Sequence, residues 1–209
     1  MKKVISTIKT PILTTLVFIC ICGLFYPLLM TGLGQAIFPH QANGSQIVAD
    51  GKVVGSSLIG QDFSGDARFM QGRPSAVNYN MYTESEKADG SYTGVASGSS
   101  NLAPSNPELE KRVKADMDAF LASHENVQAS DIPMDLLTQS GSGLDPEISP
   151  AAADIQLATI SKNTQISEDK LQEIVEKHTH GKTIGFLGEE TVNVLAVNLD
   201  IAEKIGLLN

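Results

Sequence analysis

Ile12 to Leu33 is an almost unbroken apolar run of 22 residues, set in a longer stretch, Pro11 to Phe38, that has no charged side chain. About 20 such residues, each rising ~1.5 Å in a helix, span a hydrocarbon core of roughly 30 Å. A backbone in lipid must satisfy its own hydrogen bonds, so a single spanning segment has to be helical. The run therefore predicts a transmembrane helix over residues 11–38, preceded by a short N-terminal segment, 1–10, and followed by a domain at 39–209. Pro27 lies inside the run and predicts a kink or the outer end of the helix. Gly32 and Gly34 are expected to loosen the exit.

A cleaved signal peptide would have an apolar core of about 7–15 residues ending at a small-residue site. This run is longer, and Gln35–Gln41 offers no such site. A lipoprotein signal needs a small residue before its cysteine, whereas Ile19 precedes Cys20. The expectation is a retained anchor. Lys2, Lys3 and Lys9 precede the span, and the next basic residue is Lys52. Basic flanks stay in the cytoplasm, so the N-terminus is predicted inside and the domain outside a cell inner or plasma membrane crossed once. Cys20 and Cys22 both fall in the span; Cys-x-Cys can bind a metal, but here the pair reads as small lipid-facing or helix-packing residues. The domain beyond them has no cysteine and must be held by its core.

Every acidic residue follows the span. Removing the three leading lysines leaves twelve Lys and Arg against 24 Asp and Glu, a formal charge of −12 for the domain. Nucleic-acid binding asks for a basic patch, so that class is excluded. An acidic surface suits a soluble face near a cation pathway.

Within the domain, Ile47–Val54 reads as a hairpin turning at Asp50-Gly51. Ser57–Phe63 is expected to continue the sheet, Asp66–Tyr82 to be ordered loop, and the polar, glycine-rich Glu84–Ser100 to be exposed and mobile. Asn106 and Pro107 begin a helix with the apolar stripe Leu109, Val113, Met117, Phe120 and Leu121. Ser149-Pro150 begins a second carrying Ile155, Leu157 and Ile160. A third follows Ser167, buries Leu171, Ile174 and Val175, and is expected to close at Gly181. Val192–Leu199 suits a central strand. The fold class is α+β: one N-terminal transmembrane helix, then one compact mixed α/β extracytoplasmic domain.

Two segments echo each other, Ser97–Leu102 and Ser140–Pro146, each ahead of a helix. Glycines let backbone amides approach a ligand, and a helix N-terminus favours an anion, so either loop could cradle a phosphate. Without a Walker lysine neither is a P-loop. From the residues alone, a structural turn is the better reading of both. Gly141 and Gly143 are expected to hold conformations in which a Cβ would clash. Ser142, His178 and Asp145 could make a hydrolase triad, but Gly141-Ser142-Gly143 lacks the nucleophile-elbow pattern. A solute-binding module is the other alternative, disfavoured by the absence of tryptophan.

A series of short motifs carries a resemblance. In order they are Phe38-Pro39 with Gln41–Ser45, Ser56–Gln61, Gln71–Ala76, Ser99–Leu102 with Pro104–Pro107, Ser140–Pro146 with Ile148–Pro150, Glu176–Thr179, and Phe186–Glu189 with Val192–Leu195. Together they resemble the C subunit of the Kdp high-affinity potassium-transporting ATPase of bacteria, along nearly the whole chain. The resemblance implies a non-catalytic accessory subunit. Its partners would be a potassium-channel-like subunit and a P-type ATPase subunit, with room for a small single-span subunit. Its role would be to assist assembly and raise the ATP affinity of the ATPase subunit, as a catalytic chaperone. It implies nucleotide binding, with ATP as the ligand and no metal, at Ser140, Gly141, Ser142, Gly143 and Gln156. It implies for His178 a cap or core contact. Lys162-Asn163-Thr164 departs from the Arg-rich helix end expected there. The predicted outward topology conflicts with direct contact to cytoplasmic ATP.

Overall fold

Two units divide the chain, residues 1–46 and residues 47–209. The computed structural model describes residues 2–92 and 94–208, with side chains from Thr7 onward. Met1 and the side chains of Lys2 and Lys3, which enter the charge argument, lie outside that description.

In the first unit, α1 (Lys2–Phe18) runs into a π-helical segment, Ile19–Phe25, and on into α2 (Tyr26–Ile37). Pro27 explains the widened turns. It has no amide hydrogen to give, and its ring crowds the carbonyl one turn back at Gly23. The ladder adjusts just ahead of it, and the Tyr26 amide donates five residues back to Ile21 O. The proline therefore neither ends the helix nor sharply breaks it. Gly32 and Gly34 do not end it either; Phe38, at φ −132° and ψ 57°, does. Thr7–Ile37 is the one helix among the described residues long and apolar enough to cross a membrane. Its 31 residues reach ~46 Å, more than the hydrocarbon core requires. A single turn, α3 (Pro39–Ala42), follows.

In the second unit, β1 (Gln46–Ala49) and β2 (Lys52–Ser56) make a two-stranded sheet. The turn falls at Asp50 (φ 49°) and Gly51 (φ 73°), the doubly left-handed geometry that Asp-Gly supplies. Ser57–Phe63 does not extend this sheet. Ser56 Oγ and O take the Leu58 and Ile59 amides in a turn, and the Gly60 amide donates to Leu144 O. Gly60 is needed there, because a Cβ would lie 2.5 Å from the Tyr79 ring and 2.6 Å from Asp145 O. Residues 66–82 are ordered loop, as expected. Within the stretch predicted mobile, α4 (Glu84–Asp89) forms instead. Thr83 accepts the Glu86 amide while the Glu86 carboxylate accepts the Thr83 amide, a capping box written in the sequence as Thr-x-x-Glu.

Asn106 caps α5 (Pro107–Ser123) by accepting the Glu108 amide at 3.0 Å. Beyond β3 (Glu147–Ile148), the predicted second helix divides into α6 (Pro150–Asp154) and α7 (Leu157–Thr164). α8 (Glu168–Lys177) ends at its cap residue His178, three residues before Gly181. β4 (Thr179–His180), β5 (Thr191–Asn193) and α9 (Val194–Lys204) complete the chain. β5 is central in the antiparallel order β3-β5-β4, with Val192 facing Ile148 and Thr179. The strand predicted over Val192–Leu199 stops at Asn193, whose side chain accepts the Ala196 amide and starts a helix. Val192, Ile160, Leu171, Ile174, Val197 and Ile201 form the centre of one apolar core. Mixed helices and small sheets confirm the α+β class.

Candidate functional site

The two Ser/Gly loops meet. The Gly98 amide and the Ser97 hydroxyl both donate to Ser142 O, at 2.7 and 3.2 Å. Ser75 Oγ donates to Gly143 O at 2.6 Å and accepts the Val77 and Tyr79 amides. Gly143 sits at φ +66°, and a Cβ there would lie 2.6 Å from Gly98 O and 2.9 Å from Val77. That expectation holds for Gly143 and fails for Gly141, whose Cβ would meet open space and whose φ is ordinary. The loop also binds itself: Ser140 Oγ accepts the Gly143 amide and Ser142 Oγ the Leu144 amide. Ser140 and Gly143 are buried, while Gly141 and Ser142 are exposed. The loop does not open directly onto a helix, because β3 intervenes and Ser149 fills the α6 cap by accepting the Ala152 amide.

Gln156, at the break between α6 and α7, is fully buried. Its Oε1 accepts the Gln71 amide at 2.8 Å, and its Nε2 donates to Gln71 O and Ala152 O. Asn198 on α9 treats the neighbouring residue the same way, accepting the Met70 amide at 2.7 Å and donating to Met70 O at 2.8 Å. Two buried amides thus satisfy consecutive backbone groups of a loop that has no strand beside it. Gln156 and the Ser140–Gly143 loop share no hydrogen bond; they act on the two ends of the segment 71–75.

That segment continues into Asn78, Tyr79 and Asn80, all with φ between 47° and 56°. Three consecutive left-handed residues without glycine are strained, and hydrogen bonds hold them there. Tyr79 Oη donates to Arg73 O at 2.5 Å, and Asn80 exchanges two bonds with Ala96. Burial first, then the charges of Asp145 and Asp62, push the Tyr79 hydroxyl up to about 12, so it stays a donor. Arg73 pairs with Asp145 at 3.1 Å and donates to Thr138 O. His178 Nε2 lies 3.0 Å from Asp200, which Lys177 also binds. The supposed triad is therefore not assembled, since Asp145 serves Arg73 and His178 serves Asp200.

Beside this segment a cleft of about 480 Å³ is lined by Gln71, Arg73, Tyr79, Arg112, Asp116 and Gln139, among others. Burial outweighs the neighbouring Arg112 and holds the Asp116 carboxyl above its ordinary range. Phe120, in the cleft's lining, stacks on His124 with centroids 4.0 Å apart. His124 is buried, and loss of hydration holds its pKa below the usual value against the pull of the Phe120 carbonyl. Reading the sequence missed Asn198, Ser75, Tyr79 and His124. Asn198, the second of two asparagines in the otherwise apolar stretch Val192–Leu199, was the one available signal.

A helix able to cross a membrane, the one such helix among the described residues, followed by a small α+β unit, fits the class of proteins anchored by an N-terminal span. A family model described as K+-transporting ATPase, c chain, matches residues 8–203. A Potassium-transporting ATPase KdpC subunit from Clostridium kluyveri is 57% identical over 209 residues, covering 100% of this chain and 99% of the relative. One from Clostridioides difficile is 51% identical over 208 residues, covering 97% and 100%. One from Bacillus cereus is 44% identical over 204 residues, covering 97% and 98%. The chain belongs to the KdpC family, the C chain of potassium-transporting ATPases.

Proposed function

We propose that the chain is the non-catalytic accessory subunit of a high-affinity, ATP-driven potassium uptake complex, assisting assembly and raising the ATP affinity of the P-type ATPase subunit. Its partners are a potassium-channel-like subunit and that ATPase subunit. The helix anchors it with the N-terminus in the cytoplasm and residues 39–209 outside, a topology supported by lysines on one flank only, Lys2, Lys3 and Lys9. The observation that carries the reading is the family match over residues 8–203.

The Ser/Gly junction supports docking over direct nucleotide binding. The amides of Gly143 and Leu144, which a phosphate would need, already donate to serines of the same loop. Both polar atoms of the Gln156 amide are occupied by Gln71 and Ala152. Ser140, Gly141, Ser142, Gly143 and Gln156 therefore shape a fixed platform, and the effect on ATP affinity passes through contact between subunits. Extracting a tagged full chain from membranes with mild detergent tests this. The channel-like and ATPase subunits are expected to come with it in fixed ratio. A chain that emerges alone, while those two subunits still assemble, contradicts the reading.

A further inference from the structure

The cleft between α5 and the segment 71–79 borders the docking platform through Gln71 and Ser75 but opens toward Arg112 and Asp116, and its size suits a small molecule. Arg112 is its least settled residue. Nη1 donates to Asp116 one turn along the helix, and Nη2 reaches Leu137 O only at 3.3 Å. Nε is shut away from solvent and has no partner among the described residues. A desolvated donor without a partner is costly, so a rotation that gives this edge an acceptor is favourable. The Nε–Nη2 edge is a fork that matches the two oxygens of a carboxylate.

Nearby amides are loosely held. Gln71 Nε2 donates to Ser123 Oγ at 3.4 Å, and Gln139 Oε1 accepts the Ser100 amide at 3.4 Å. Both bonds are long enough to exchange for a ligand. Charge sets the ligand's valence. Arg73 and Arg112 line the cleft, but so do Asp62 and Asp116, and Arg73 is already paired with Asp145. A polyanion such as a triphosphate meets no excess positive charge there. A single carboxylate needs only to share Arg112 with Asp116. Phe120 and Pro74 offer apolar faces for the rest of the molecule.

We propose that this cleft binds a small organic monocarboxylate, taken bidentately by the Nε–Nη2 edge of Arg112 once its rotation gives up the long bond from Nη2 to Leu137 O. Burial already makes Asp116 a reluctant anion, which eases the exchange.

Isothermal titration of the purified full chain in detergent tests the site, with benzoate as the probe and with inorganic phosphate and ATP as comparison arms. Benzoate should bind saturably at one site. Arg112→Met should abolish binding, and Arg112→Lys, a point charge without a fork, should weaken it roughly tenfold. Asp116→Asn, close to isosteric, should tighten it several-fold by releasing the guanidinium. Absence of saturable binding up to about 10 mM benzoate overturns the proposal, since weaker binding is not a site. So does an Asp116→Asn chain that binds no better than the original, or phosphate or ATP binding as tightly as benzoate through Arg112.

Discussion

Gly141 and Gly143 stand two residues apart and should answer alanine in different ways. Gly143→Ala places a Cβ 2.6 Å from Gly98 O at a left-handed φ, so it should cost about 1–3 kcal/mol and loosen the junction of the two loops. Gly141→Ala faces open space and should stay within about 0.5 kcal/mol of the parent. Thermal unfolding of the two full-length variants reads the contrast directly. If the junction docks partners, Gly143→Ala should also co-purify less of the channel-like and ATPase subunits. Gln156→Ala removes the three hydrogen bonds of a fully buried side chain and leaves the Gln71 backbone unpaired, for a loss on the order of 2–4 kcal/mol. The unfolding midpoint in urea checks that value. These residues stood out in the sequence because composition marks flexible and polar positions. Composition does not tell which glycine is forced, nor that Gln156 spends its amide on a residue 85 positions away.

At the scale of elements, local chemistry was legible wherever a cap announced it. Asn106-Pro107, Ser149-Pro150 and Asp50-Gly51 each did in the structure what the residues foretold. The box at Thr83 and Glu86 was equally visible, but the surrounding polar, glycine-rich composition hid it. The run after Val192 misled for a different reason. Its β-branched residues suit a strand, yet Asn193 caps a helix, and burial on α9 outweighs propensity. The segment 66–82 had no period to read because its order comes from side chains distant in sequence, Gln156 at the α6–α7 break and Asn198 on α9. The end of α5 carries a pH dependence. Burial holds the His124 pKa below the ordinary ~6.5, so as pH falls the unfolded chain takes the proton first. Stability is complete above that value and declines as pH drops through it toward the folded pKa. The melting temperature should therefore fall between about pH 7.5 and about pH 5.5, and His124→Gln should flatten part of that fall. An unchanged slope in the variant would place the titration elsewhere.

For the whole molecule, the apolar run was the most legible feature, and the helix that contains it is longer than the run itself. Asymmetric lysines make the topology testable: protease added to intact spheroplasts should digest residues beyond Pro39 and spare the anchor. Full protection would put the domain in the cytoplasm and restore direct contact with ATP. Partner contacts were not legible, since a surface that completes itself only against another chain leaves no internal period. The accessory role is tested most directly by the ATP concentration for half-maximal hydrolysis, measured on the potassium-transporting complex purified with and without this chain. Presence of the chain should lower that concentration while leaving the hydrolytic residues entirely on the ATPase subunit. The same value with and without it, in complexes otherwise intact, would contradict the role.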